Sequence, residues 1–219
     1  VLARRPVRFA VFASGQGSNF EALARAAAAG SLGGELVALL CDRAEAPVLE
    51  RAKRLRVEAL ALPAGRFRTR LEDEGPWLAA LRERHVDVVL LAGFMRRLHA
   101  PLLGAYAGRM LNVHPSLLPA FPGLDAIGQA WRHGARVTGC TVHLVEEAVD
   151  GGPIVAQAAV PVRDDDTPAS LESRIHEAEH ALYPEAVRRF VREPWRLAGR
   201  RLEFGSGEGL RLPEGVARG

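Results

Sequence analysis

The chain has 219 residues, 48% hydrophobic and 25% charged, enough to close one sizeable core near the upper end of single-domain size. Its 29 Lys and Arg against 26 Asp and Glu leave a formal charge of +3; the basic residues are scattered, which excludes a nucleic-acid-binding arm and makes small anions the expected partners. Two cysteines, Cys41 and Cys140, are too few for a disulfide framework, no apolar run reaches the roughly 18 residues of a membrane span, and there is no signal-type start, so a soluble protein of the reducing cytoplasm is expected.

Residues 7–13 read as a buried strand, Ser14-Gly15-Gln16-Gly17-Ser18-Asn19 as a glycine turn, and residues 20–29 as an alanine-rich helix closed by Gly30. The glycines let the backbone approach a ligand, and the free N–H groups at the helix start favour an anion. Ser18 and Asn19 add side-chain donors. A dinucleotide fingerprint would carry a third glycine where Phe20 stands, although Asp42 after the next strand would suit a ribose contact. A single phosphate fits the loop better; a turn that merely joins strand to helix is the plain alternative.

Further strands are expected at residues 35–41, 57–61 and 86–92, and helices at 47–55, at 69–85 with an interruption at Gly75-Pro76, and at 101–106. Their alternation predicts a parallel sheet, in which loops at the carboxyl ends of the strands form the ligand crevice. Residues 14–19, 93–98 and 112–119 then share one rim. The last of these, Asn112-Val113-His114-Pro115-Ser116-Leu117-Leu118-Pro119, follows the apolar pair Met110-Leu111 where a strand should end. Side chains at i and i+2 of a strand share a face, so Asn112 and His114 can act on the same point, as a site that polarises one carbonyl oxygen requires. A turn-forming Asn beside a loop-capping His is the plainer reading.

A helix is expected at 125–133 and a strand at 136–145 containing His143, a position where a hydrogen-bonded core histidine is commoner than a catalyst. The loop Glu146-Glu147-Ala148-Val149-Asp150-Gly151-Gly152 leads to an antiparallel strand at 153–161. Asp150 before two glycines is ordinarily a turn former, whereas a carboxylate beside His114 would hold an imidazolium; both readings stand. Thr167 caps and Pro168 starts the last long helix, with Leu171, Ile175, Ala178 and Leu182 as its apolar stripe and a kink at Pro184. Residues 195–211, with a turn at Gly205-Ser206-Gly207, read as a hairpin or ragged tail.

His176-Glu177-Ala178-Glu179-His180 spells H-E-x-x-H, the spacing of two zinc ligands and a general base. At about 100° per residue both histidines fall on the face away from the apolar stripe, toward solvent or a partner. The downstream sequence lacks the usual extension to a third ligand, so a solvated helix face is the preferred reading.

Taken together, these stretches resemble the phosphoribosylglycinamide formyltransferase (glycinamide ribonucleotide transformylase) family, a folate-dependent branch of the formyltransferase superfamily. The resemblance rests on Ser14-Gly15-Gln16-Gly17-Ser18-Asn19, Leu91-Ala92-Gly93-Phe94-Met95-Arg96, residues 112–119, and Val149-Asp150-Gly151-Gly152-Pro153-Ile154, and runs in matching order over about residues 7–191. Residues 114–119 alone mark only the wider superfamily, including methionyl-tRNA formyltransferase and formyltetrahydrofolate deformylase; the glycine loop and the length, expected to leave room for neither extra domain of those enzymes, set this chain apart.

The resemblance implies an α/β fold: an open, mostly parallel twisted sheet of Rossmann-like formyltransferase type with an antiparallel C-terminal part. A single domain over 1–219 is expected, with a mononucleotide-binding-like half at 1–105, a catalytic half at 106–192 and a tail or hairpin at 193–219. The implied reaction moves the formyl group of the co-substrate 10-formyltetrahydrofolate to the amino group of glycinamide ribonucleotide, in de novo purine biosynthesis, without a metal. A formyltetrahydrofolate hydrolase-like enzyme and a zinc hydrolase are the alternatives. Neither nucleic acid nor membrane is an expected partner, and a monomer or homodimer is expected. Carried over by position, Asn112, His114 and Asp150 are the catalytic trio. Gly17, Ser18 and Asn19 hold the ribonucleotide phosphate, with His176 and Glu179 helping to hold that substrate. Arg70, Met95, Arg96, Arg97, Leu98 and Asn112 face the folate, under a loop of Glu146, Glu147, Ala148, Val149 and Asp150. The chain departs from the family where many relatives carry P-G-x-H-x-H: here Asp125 and Ile127 replace the histidines, whose roles do not transfer, and His176 stands where some members have glutamine.

Overall fold

A computed structural model describes residues 5–212. In chain order these form β1 (Val7–Ala13), α1 (Ser18–Ala28), β2 (Gly34–Cys41), α2 (Pro47–Arg54), β3 (Ala59–Ala61), α3 (Gly75–Glu83), β4 (Val88–Leu91), α4 (Ala100–Ala105), β5 (Met110–His114), α5 (Ala126–Arg132), β6 (Val137–Leu144), β7 (Ile154–Pro161), α6 (Pro168–Arg192), β8 (Trp195–Ala198) and β9 (Arg201–Phe204). Residues 1–4 and the end of the expected tail, 213–219, lie outside the described residues.

The strands make one sheet in the order β3-β2-β1-β4-β5-β6-β7-β9-β8. The pairs from β3 across to β5 are parallel, and those of β5 with β6 and β6 with β7 are antiparallel. This is the expected α/β class with an antiparallel C-terminal part. The chain steps outward from β1 to β3 and then crosses back to β4, so the sheet has a switch point between β1 and β4, where crevices form at the strands' carboxyl ends. Alternation within β1 divides the apolar residues between two layers. Phe9, Val11 and Ala13 pack with Phe20, Leu23 and Phe190 on one face, while Ala10 and Phe12 pack with Trp77, Leu81 and Leu102 on the other. Burial on both faces is why β4 is an unbroken apolar run.

Three expected elements differ. The helix expected from residue 69 starts at Gly75, with Pro76 in its first turn; proline lacks only a donor that is unsatisfied at a helix start, so Gly75-Pro76 begins the helix instead of interrupting it. The C-terminal hairpin turns at Gly199 (φ 61°), between the paired residues Ala198 and Arg201, and the glycines at 205 and 207 follow β9. The buried stripe of α6 runs through Leu171, Ile175, Glu179, Tyr183, Val187 and Phe190, with Ala178 and Leu182 half-buried at its flank. The helix itself is continuous through Pro184, and Thr167 and Ser170 cap its start reciprocally.

Tyr183 fixes α6 to the sheet. Its buried hydroxyl lies 3.1 Å from the Leu91 carbonyl and 3.0 Å from the Leu111 carbonyl, on the adjacent strands β4 and β5. Tyr183→Phe removes the one hydroxyl hydrogen that these two carbonyls share and is expected to cost about 1 kcal/mol, seen as a lower urea midpoint at unchanged slope. Among the described residues no helix is long and apolar enough to cross a membrane.

Candidate active site

The rim predicted from the sequence is assembled at the switch point. Ser14, at the end of β1, donates its N–H to the Gly93 carbonyl at 3.2 Å, and its hydroxyl accepts the Met95 N–H at 2.9 Å, tying the β1 and β4 loops together. Gly17 caps α1 with φ 77°, and a Cβ there would sit 2.3 Å from Val48 Cγ2, so only glycine allows α2 to press against this loop. The amide of Asn19 donates to Glu179 at 2.8 Å. A carboxylate accepts, so this bond orients the amide and leaves Asn19 Oδ1 buried with no protein donor. Burial pushes the Glu179 carboxyl up from its usual range, against the bond from Asn19 and the charge of His176.

At the end of β5, the antiparallel register sets Asn112 opposite His143 and His114 opposite Thr141, which places facing side chains together. Asn112 Nδ2 lies 3.1 Å from His143 Nε2. The His143 Nδ1 lies 2.8 Å from the Leu144 carbonyl; a carbonyl only accepts, so Nδ1 carries a proton, and Nε2 accepts from Asn112 while the ring is neutral and donates toward Asp150 when the ring is charged. Asn112 therefore gives one amide hydrogen to His143 and keeps the second for a ligand. His114, 5% exposed, donates Nε2–H to the Phe121 carbonyl at 2.9 Å and turns Nδ1 to Asp150 Oδ2 at 3.4 Å.

Asp150 spans the two imidazoles. Its Oδ1 is 3.6 Å from His143 Nε2, and its Oδ2 also accepts the Gly123 N–H at 2.7 Å. Burial would push this carboxyl up, but the His143 imidazole, the Gly123 N–H and the charge of His114 outweigh burial and hold it below the usual aspartate range. Asp150 makes the turn with a φ of 52°, and the turn brings its carboxylate beside His114. His143 is the member of this cluster that the sequence left in the core. The signal that could have found it is the register with β5, which periodicity within one strand does not carry.

The expected folate-side residues divide into exposed and committed groups. Met95, at 52% exposure, and Val149, at 49%, are large apolar side chains left open to solvent. Arg70 lies with its guanidinium 4.0 Å from the Phe67 ring centroid and bridges Arg97 through the backbone. Arg97, Glu146, Glu147 and Ala148 are exposed and Leu98 is half-buried. Arg96 is spoken for: its Nε meets Asp42 at 2.6 Å and its Nη1 donates to the Phe67 carbonyl, which leaves its main chain to face a ligand. The Asp42 side chain is 0% exposed in this pair, which takes it away from the ribose contact that its position suggested. Among the expected histidine replacements, Asp125 pairs with Arg132 at 2.9 Å, and Ile127 packs beside Cys140 and Val160.

His176 and His180 are half-buried and stack at 6.4 Å, so they face solvent less than the helical geometry predicts. Burial, followed by the charge of His176, pulls the His180 imidazole below its usual range. Among the described residues no group of three His, Cys, Asp or Glu side chains is placed to hold a metal ion, and Glu177, the base that the H-E-x-x-H reading needs, is exposed.

This cluster is suited to passing a carbonyl group between two nucleophiles, with an amide hydrogen for the developing oxyanion and an imidazole–carboxylate pair for the proton. Nothing in it suits covalent catalysis. Burial, reinforced by the charge of Glu179, pushes the Cys140 thiol up to about 12, and the Ser116 hydroxyl is occupied by the Ala120 carbonyl at 2.6 Å. An α/β transferase is the class that fold and cluster define. Comparison with known proteins makes the class particular: residues 7–187 match the formyl transferase family, and the chain belongs to it. It is 42% identical over 184 residues to phosphoribosylglycinamide formyltransferase of Bacillus subtilis, covering 84% of this chain and 94% of that protein. It is 39% identical over 184 residues to the human trifunctional purine biosynthetic protein adenosine-3, covering 84% of this chain but only 18% of that longer protein. Among solved structures, glycinamide ribonucleotide transformylase 1 from Symbiobacterium toebii superposes with a TM-score of 0.86 at 44% identity, covering 90% of this chain and 93% of that one.

Proposed function

We propose that the chain transfers the formyl group of 10-formyltetrahydrofolate to the amino group of glycinamide ribonucleotide, giving formylglycinamide ribonucleotide in de novo purine biosynthesis. The observation that carries this reading is the joining of Asn112, His143, Asp150 and His114 through contacts of 3.1–3.6 Å, on a rim shared with the Gly17 loop. The neutral amine attacks the formyl carbon, and the free amide hydrogen of Asn112 meets the charge that develops on the formyl oxygen. As the new C–N bond forms and the bond to folate N10 breaks, the amine loses a proton and N10 gains one. His114 is the carrier: Nδ1 is its looser side, and Asp150 stabilises the ring when charged.

In this reading Gly17, Ser18 and Asn19 take the ribonucleotide phosphate at the start of α1, and the unpartnered Asn19 Oδ1 accepts a donor from the same substrate, beside Glu179 and His176. Arg70, Met95, Leu98, the exposed Arg97 side chain, the main chain at Arg96 and the loop from Glu146 to Val149 take the folate. The parallel half holds the ribonucleotide, the half from residue 106 to 192 carries the chemistry, and the hairpin closes the sheet as part of the same domain. A small-molecule enzyme of the cytoplasm, monomer or homodimer, with no nucleic-acid partner, fits the scattered charge.

The test is to mix chelator-treated protein with glycinamide ribonucleotide and a 10-formylated folate and follow loss of the formyl group optically. Turnover is expected only when the ribonucleotide is present. Equal turnover without it would replace the transferase with a hydrolase, and activity appearing only on added zinc would restore the metal reading of α6.

A further inference from the structure

The β8–β9 hairpin lies beyond the stretch that matches the family, which ends at residue 187, and it is held firmly. Trp195 stacks on Phe190 with centroids 4.9 Å apart and donates its indole N–H to the Phe190 carbonyl at 2.9 Å. The Arg189 guanidinium sits 3.9 Å from the Phe204 ring centroid, and Leu210, 1% exposed, closes into the core. Glycine at the first position of the two-residue turn Gly199-Arg200, with φ 61°, fits a type II′ hairpin. The turn lays the exposed Arg200 against the Asp150 loop: its guanidinium donates to the carbonyl of Gly151, the residue after Asp150, and the next residue, Arg201, pairs with Ile154.

The Asp150 loop needs such a tie. Residues 146–149 are exposed, and Asp150 holds a left-handed backbone that costs a non-glycine residue about 1 kcal/mol or more. Its other restraints are the β6–β7 ladder at the loop's base, with the Leu144 N–H on the Pro153 carbonyl at 2.9 Å, the Gly151 N–H to the Ala148 carbonyl at 3.0 Å, Gly123 and the two imidazoles on the carboxylate, and a passage past Leu144 so tight that a Cβ on Gly152 would lie 1.8 Å from its carbonyl oxygen. Exposed loops with few buried contacts open at small free-energy cost. We infer that Arg200 is a positioning residue, which fixes the loop carrying Asp150 to the hairpin and so holds the carboxylate in place between His114 and His143. The inference rests on the formyl-transfer reading and adds to it a residue outside the reacting cluster.

The test compares the parent protein with Arg200→Ala and Arg200→Lys. For the alanine variant kcat is expected to fall and the folate KM to rise, each about fivefold, with the ribonucleotide KM and the thermal midpoint unchanged. Backbone amides at 146–152 should exchange hydrogen faster than in the parent. Lysine, which keeps a charged donor of shorter reach, should recover part of the loss. Unchanged kcat and folate KM overturn the inference; so does a lower midpoint with both KM values unchanged, which marks a merely structural arginine. If the alanine variant does not fold, Arg200→Gln decides on the same readouts. A parent protein with no transfer to the ribonucleotide sinks the function instead, and loop exchange alone then decides the positioning role.

Discussion

Replacing His114 with alanine is expected to lower kcat by about 10²–10⁴-fold while the KM values for folate and ribonucleotide stay near those of the parent. The imidazole is almost entirely buried, with one nitrogen on the Phe121 carbonyl and the other facing Asp150, so it contributes little surface to either ligand. In the proposed reaction its contribution falls on the transition state, where a proton leaves the attacking amine, and an interaction made only there appears in kcat and not in KM. Single-turnover measurements with saturating folate check this directly. A variant within a few-fold of the parent in the chemical step would remove His114 from the mechanism. Loss of folate binding at intact chemistry would make the residue a pocket wall.

The second large effect is expected at Asp150. Asp150→Asn keeps the volume and removes the charge that lies 3.4 Å from His114 and 3.6 Å from His143; a fall in kcat of about 10²–10⁴-fold is expected, by analogy with other imidazoles that lose their carboxylate. The pH dependence carries a sign. Because the folded carboxyl is held below the usual aspartate range, Asp150 contributes stability that is fully present above the unfolded aspartate value and is lost as pH falls through the lower folded value. The difference in unfolding free energy between parent and Asp150→Asn should accordingly be constant near neutrality and narrow in acid below the ordinary aspartate range. Denaturant titrations at several pH values measure it. A difference that grows in acid would mean that burial, not the imidazoles and the Gly123 N–H, dominates at this carboxyl.

The parallel half was legible because each element carries its own signal. The runs in β1 and β4, the glycines at 15 and 17 and the proline starts of α2 and α6 are local features that tertiary packing did not overrule. What escaped was pairwise. His143 belongs with Asn112 through a cross-strand register, and Arg200 reaches Gly151 across 49 residues; no periodicity within a segment records either. The stripe of α6 was misplaced for a related reason. Charge counted Glu179 as surface, yet it is 3% exposed, because Asn19 meets it from the first turn of α1, 160 residues away. Gly75-Pro76 shows the opposite case, a local signal correctly seen but assigned to the wrong end of its helix.

Tyr183 has a geometric consequence beyond stability. It lies four residues after Glu179 on the same buried stripe of α6, so about 6 Å of helix separates the carboxylate that holds Asn19 from the hydroxyl lodged against the carbonyls of Leu91 and Leu111. The latter is the residue immediately before Asn112. One end of the cleft is thereby referenced to the other through a single turn of rigid backbone, and α6 works as a calliper.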